Sequence, residues 1–429
     1  MLPREAFLTN TPVPRVVLVG KSTPGEAGIG GTFLSDLVQA VGSQYFACAW
    51  LATRAAQQPP KIDGLKMVIA NRRFETAYRP VSGIAGDLFS ACALRVLRPA
   101  MIRKCEKAVR QLIDDFRPAY LLAILDSPAS IQVAARIRRA TGIPLLSLVW
   151  DGVELLCRQS AFDRWTSRWI GSDFAFVLRQ SERIAVICEN MQRAYEKRYG
   201  VSSLVLRHAH AKVEHEANRI ASVGERDHWL IGYAGSMTTP DCFRAFVQAL
   251  DRLNWKIGKR EIALRMMGVR YLLESQRPQR IEFLGYRNTN EEARQYLAEC
   301  DLLYLPQSFD ADSRPFSELS FPAKLSTYVA AGRPILLHAP EYGSLAEFWN
   351  KHELGPWCRS VNSDALEAAM RRCLEASSGK ALQWLEEGWR LHNGILGADE
   401  FRKQVRVLLG IGLQTAGAAE NVAGMPASV

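Results

Sequence analysis

The feature that most limits the fold is an alternation of short apolar stretches with amphipathic helices, run twice and broken once near the middle. In the first run, RVVLVG (15–20), YFACAWL (45–51), LKMVIA (65–70), YLLAILD (120–126), PLLSLVW (144–150), RIAVIC (183–188) and SLVLR (203–207) have strand length. Helical periodicity lies between several of them, at about 30–41, 85–117, 129–141 and 189–199. Apolar strands joined by helical crossovers predict a parallel sheet covered on both faces. The polar stretch HAHAKVEHEANRIASVGERDH (208–228) carries no strand. The alternation then restarts with LIGYAGS (230–236), EIALRMMG (261–268), IEFLGY (281–286), DLLYLP (301–306) and PILLHAP (334–340). The expected fold class is therefore α/β, with two doubly wound units: residues 1–207 and 208–395. An amphipathic helix follows within 396–411, and the small-residue, polar tail 412–429 is expected to be disordered.

Composition narrows the setting. The net charge is +10, and its excess is confined to one half. Residues 1–205 hold 27 Lys+Arg against 17 Asp+Glu, whereas residues 206–429 hold 27 of each. A basic first unit suits an anionic membrane surface. Nucleic acid is not the expected partner, because aromatic residues do not interleave the basic runs as single-strand platforms require. The nine cysteines form no CxxC or Cys/His metal spacing, and no signal-peptide core opens the sequence. A cytoplasmic location, peripheral on the inner membrane face, is the expectation.

In open α/β sheets ligands sit beyond the carboxyl ends of the strands, so the turns there are the candidate sites. GKSTPGEAGIGGTFLSDL (20–37) follows the first strand, and its glycines, Gly30 and Gly31 among them, allow close backbone approach to a ligand. It is neither a Walker loop nor a dinucleotide fingerprint. GYAGSMTTPD (232–241) brings Gly235 and Ser236 to a strand end, with Asp241 or Thr239 as the cap of the next helix. PQSFDADSRPFSELSFPAK (306–324) is a long loop into the helix of SFPAKLSTYVAAGRP (320–334), read as opening near Ser320 and Pro322. It carries Arg314 and Lys324, and a lysine beside helix amides suits a diphosphate. Asp126 and Asp151 end apolar strands and are candidate catalytic carboxylates; Asp126 equally fits the cap of the helix begun by SPAS (127–130). His338 ends an apolar strand and fits either the cleft or the core.

In order and spacing, IGYAGSM (231–237), IEFLGY (281–286), LAECDLLYLP (297–306) and FPAKLSTYVAAGRPILLHAPEYGSLAEF (321–348) resemble the donor-binding half of GT-B glycosyltransferases of the glycosyl transferase group 1 (GT4-like) type. VVLVGKSTPGEAGIGGTFLSDL (16–37) and ICENMQRAYEKRYGV (187–201) are similar to that superfamily's acceptor half. The resemblance implies two Rossmann-like domains facing a cleft, with the last helix packed back across the first. It implies a nucleoside-diphosphate sugar as donor, a glycan or lipid-linked hydroxyl as acceptor, retention of anomeric configuration, and no metal or covalently bound cofactor. By position it implies Lys324 and neighbouring amides at the diphosphate, with Pro322, Leu325 and Thr327 in the gripping segment. Gly30 and Gly31 approach from the first domain, Tyr286 and Arg287 border the base, and Asp151 lies near the reacting centre. The family's paired glutamates are replaced: the second falls on Thr327, and the first on Leu319 with Glu318 adjacent. A GT-B epimerase or phosphorylase, a non-catalytic relative and a nucleic-acid-binding protein are the rival readings.

Overall fold

We describe a computed structural model covering residues 12–53, 60–76, 83–209, 227–268, 270–286 and 289–412. The first sheet holds seven parallel strands: β1 (Val16–Gly20), β2 (Phe46–Ala52), β3 (Lys66–Asn71), β4 (Tyr120–Ile124), β5 (Leu145–Val149), β6 (Ser181–Val186) and β7 (Leu204–Val205). Their order is β3-β2-β1-β4-β5-β6-β7. Every residue of β1, β2 and β5 is buried, which is why these stretches read as continuous apolar runs. The second sheet contains β8 (His228–Ala234), β9 (Lys256–Ile257), β10 (Arg260–Met267), β11 (Ile281–Gly285), β12 (Leu302–Pro306), β13 (Ile335–His338) and β14 (Trp357–Cys358). It runs β11-β10-β8-β12-β13-β14, with β9 antiparallel on β10.

In both sheets the chain winds outward one way from the first strand, then returns to its other side. The switch falls between β1 and β4 in the first sheet and between β8 and β12 in the second. At such a point neighbouring turns diverge and leave a crevice at the strands' carboxyl ends. Helix Ala398–Leu409 packs on the first sheet: Phe401, Val405, Leu408 and Leu409 are buried with Val16, Leu18 and Phe33. Each such side chain contributes about 1.5–3 kcal/mol by burial. Arg183 Nε donates to the Leu408 carbonyl at 2.7 Å, satisfying one of the helix's last acceptors.

Several local readings need correction. The predicted helix at Ser320 starts later, as Lys324–Ala331 with Ala323 at its N-cap and left-handed Gly332 at its end. Ser320 instead terminates a separate short helix, Arg314–Leu319, inside the stretch read as loop. Helices Val153–Gln159 and Arg164–Gln180 were not anticipated, nor were the two-residue strands β9 and β14. The tail from residue 413 and most of the polar stretch 208–228 lie outside the described residues. Among the described residues no helix is long and apolar enough to cross a membrane.

Candidate functional site

The glycine turn after β1 is fastened by Asp126, at the end of β4. Its two carboxylate oxygens accept from the backbone N–H groups of Lys21 and Ser22, each at 2.9 Å. Burial pushes this carboxyl up, against the opposing pull of Lys21 and the two amides. The helix cap that Asp126 also fitted belongs to Ser127, which forms a capping box with Ser130. Asp126 is thus a buried tie across the switch point, and it does not line the cavity. Gly31 is likewise internal: a Cβ there would sit 2.0 Å from the Glu26 carbonyl oxygen. Gly30 does reach the cavity, and a Cβ on it would meet Ser22 Oγ at 2.9 Å and Trp150 Cζ3 at 3.2 Å.

The cavity has a volume of about 330 Å³ and takes its walls from both sheets. Ile29, Gly30, Phe33, Trp150 and Asp151 line one side; Gly235, Ser236, Thr239, Gln307 and the segment Ser320–Lys324 line the other. Asp151 is partly exposed just beyond β5. Burial raises its carboxyl above the ordinary aspartate value, with Lys21 opposing and Asp126 adding.

Lys324 is the cation on the second wall. Its Nζ donates to Tyr233 OH at 2.8 Å and lies 4.1 Å from that ring's centroid. Tyr233 OH in turn donates to the Ser236 carbonyl at 2.6 Å. Gly235 makes room for the lysine: its φ is +116°, and a Cβ would lie 3.3 Å from both Cε and Nζ. Burial alone pulls Lys324 from 10.5 down to about 7. A hydroxyl and an aromatic face are weak compensation for a desolvated ammonium, so the position is primed for an anion.

The remaining predicted residues divide. Ser236 and Pro322 line the cavity. Leu325 is fully buried core, and Thr327 is buried outside the lining; Ser326 takes the wall position and pairs with His208 Nδ1 at 3.2 Å. Arg314 is turned to Glu318, with Nε to Oε1 at 2.7 Å, and stacks on Tyr342 rather than facing the cavity. Tyr286 is 69% exposed and outside the lining. Arg287 lies outside the described residues. His338 is a core histidine: Nε2 faces the Ser360 carbonyl at 2.9 Å and Nδ1 the Tyr304 hydroxyl at 2.7 Å, and burial pulls it down to about 4. Among the described residues no group of three or more His, Cys, Asp or Glu is arranged for a metal ion.

Sequence reasoning missed Trp150, Gln307 and Thr239 as wall residues, and Tyr233 as the partner of Lys324 behind the wall. Only the phase of β8 signalled Tyr233, two positions before the strand-end glycine. Thr239 is the N-cap residue of helix Pro240–Arg252, as expected, but its hydroxyl makes no capping bond and is buried at the cavity wall. Asp241 instead accepts from Ser308 Oγ at 3.0 Å and Phe309 N at 2.7 Å, pinning the start of the loop after β12.

Among solved structures the chain is similar to sucrose-phosphate synthase from Thermosynechococcus elongatus, at a TM-score of 0.65 and 13% identity over 92% of this chain and 97% of that one. A trehalose-6-phosphate synthase from Burkholderia multivorans superposes with a TM-score of 0.61 and 11% identity, covering 93% of this chain and 97% of that one. WaaG, a glycosyltransferase involved in lipopolysaccharide biosynthesis, gives a TM-score of 0.56 and 12% identity over 92% of this chain and 100% of its own. No protein-family model matches the sequence, and no curated protein matches it. Two facing α/β units with a helix returning to the first are the GT-B fold, as the resemblance implied.

Proposed function

We propose that this protein is a glycosyltransferase that moves a sugar from a nucleoside-diphosphate donor to a hydroxyl of a glycan or lipid-linked acceptor, with retention. The observation that carries the reading is Lys324, held at a lowered value over Gly235 in a cavity shared by both sheets. The similar folds carry names of sugar-transferring enzymes, among them a sucrose-phosphate synthase, a trehalose-phosphate synthase described as UDP-forming and the glycosyltransferase WaaG, which supports the same class here.

In this reading the donor diphosphate lies between Gly30 and Gly235, with Lys324 as its counter-ion. The bond from the anomeric carbon to the diphosphate oxygen breaks, and its electron pair leaves with the diphosphate. A fixed cation placed where that charge grows lowers the barrier, with little reorganisation. The acceptor enters from the side of Phe33, Trp150 and Asp151. Its hydroxyl oxygen bonds to the anomeric carbon on the face the diphosphate leaves, and its proton passes to the departing phosphate oxygen. Asp151, whose carboxyl burial raises above the ordinary aspartate value, orients the hydroxyl. No residue is assigned to a metal. The work is expected in the cytoplasm at the inner membrane face, in polysaccharide or glycolipid assembly.

A thermal-shift screen against nucleoside diphosphates and their sugars tests the reading, followed by product analysis with a labelled donor. A stabilising diphosphate and label appearing on an acceptor support it. Label that remains on the nucleotide as an isomerised sugar would make the protein an epimerase. The absence of any shift with every nucleotide would sink the proposal.

A further inference from the structure

Helix Ile84–Cys92 and the π-turn Ala93–Leu97 that continues it are inverted relative to an ordinary surface helix. The residues turned into the protein are small: Gly86, Ser90 and Ala93. The large apolar ones face solvent, with Ile84 80%, Leu88 67% and Val96 58% exposed, and Phe89 beside them. Ile84 and Leu88 are one helical turn apart, and Val96 continues the stripe.

A second exposed pair lies next to it. Trp165 and Trp169, one turn apart on helix Arg164–Gln180, are 66% and 58% exposed. Arg95 pairs with Asp163, the cap of that helix, at 3.9 Å, and Arg98 stacks on Phe162 at 4.9 Å, so the two helix starts adjoin. Topology fixes their side of the molecule. Helix Arg98–Phe116, which runs on from Leu97, returns to β4, and helix Arg164–Gln180 returns to β6, so both begin at the carboxyl edge of the first sheet. The cavity opens at that same edge. Around the patch, Arg103, Lys104, Lys107, Arg164 and Arg168 are exposed, and none is in an ion pair among the described residues.

We infer that helix 84–97 together with Trp165 and Trp169 docks the first domain on an anionic lipid surface, with the cleft beside the bilayer. Monomeric proteins seldom leave so many large apolar side chains in water on one face. Tryptophan is at home at the level of the lipid headgroups, and unpaired bases around an apolar patch complement an anionic leaflet. The inference rests on the proposed function only in giving the cleft a lipid-linked acceptor; the docking face stands on exposure, placement and charge.

Flotation of the full chain with phosphatidylcholine vesicles, with and without phosphatidylglycerol, tests it. The wild type should float with the anionic vesicles and remain free of the neutral ones at physiological salt. W165S/W169S should lower partitioning by about tenfold through lost apolar insertion. Charge removal by R103Q, K104Q or K107Q should cost about fivefold per residue. The substituted side chains are exposed, so the thermal midpoint should remain that of the wild type. Equal flotation by all variants, or none by the wild type, would overturn the inference. So would a wild-type dimer that W165S/W169S turns into a monomer, since the patch would then belong to a second copy. Nucleotide binding by the same variants in solution keeps the two claims apart. Vesicle binding without nucleotide binding would sink the transferase reading and leave the docking face intact.

Discussion

The lowered value of Lys324 has a measurable consequence for ligand binding. In the free protein its ammonium is half titrated at about 7. A diphosphate placed against Nζ favours the charged form and returns the group toward its ordinary 10.5. Above pH 7 the free protein must therefore take up a proton to bind. Affinity should fall by up to about tenfold per pH unit, hence about tenfold at pH 8 and about a hundredfold at pH 9. The phosphate's own ionisation near pH 6 is complete over that window and adds little. Titration calorimetry of a nucleoside diphosphate from pH 7 to 9 reads the slope, and repeating it in buffers of different ionisation heat reads the proton taken up. Lys324→Arg, which stays charged, should bind with a flat profile, whereas Lys324→Met should bind weakly at every pH. In the unliganded protein the same group acts in the other direction. The unfolded chain holds this proton up to about 10.5, so the contribution to folding stability is full above that value and is lost as pH falls through about 7. A wild-type affinity independent of pH, or a methionine variant that tracks the wild type, would refute the reasoning.

Asp126→Asn should cost about 2–3 kcal/mol in denaturant unfolding, since one of the two amides it serves is left facing an NH₂ group; an unchanged midpoint would remove Asp126 as the tie across the switch point. Gly31→Ala should destabilise by more than about 2 kcal/mol, because its Cβ meets the Glu26 backbone. Gly30→Ala should cost less than about 1 kcal/mol, since its nearest neighbour is the Ser22 hydroxyl, yet weaken ligand binding at the cavity wall; the reverse order in melting experiments would contradict both placements. Asp151→Asn should lower kcat by about 10²-fold or more while leaving nucleotide affinity nearly unchanged; a loss confined to nucleotide affinity would move Asp151 from the acceptor side to the donor side.

The strands were legible because parallel sheets bury both faces, so β1, β2 and β5 show as unbroken apolar runs. β9 and β14 were not, since their two residues, unlike those of β7 in SLVLR (203–207), lie within no longer apolar run. Helix Arg164–Gln180 was hidden for a related reason: its exposed Trp165 and Trp169 blur the apolar stripe by which a surface helix is recognised. At the site, lysine and glycine were readable from chemistry and position, and both Lys324 and Gly235 stand at the cavity wall. Side-chain direction was not readable. Arg314 looked like a cleft cation but sits one helical turn from Glu318, which takes it. Asp126 looked catalytic because it ends a strand, yet the turn that doubles back from β1 uses both its oxygens. Such long-range partners, more than a hundred residues apart in sequence, leave no local pattern.

A crystal structure of the protein with a bound nucleoside diphosphate would test the central claim most directly. The account predicts a diphosphate oxygen within about 3 Å of Lys324 Nζ, between the backbones of Gly30 and Gly235. Density for the diphosphate elsewhere, with Lys324 still on Tyr233 and the cavity holding only solvent, would contradict it.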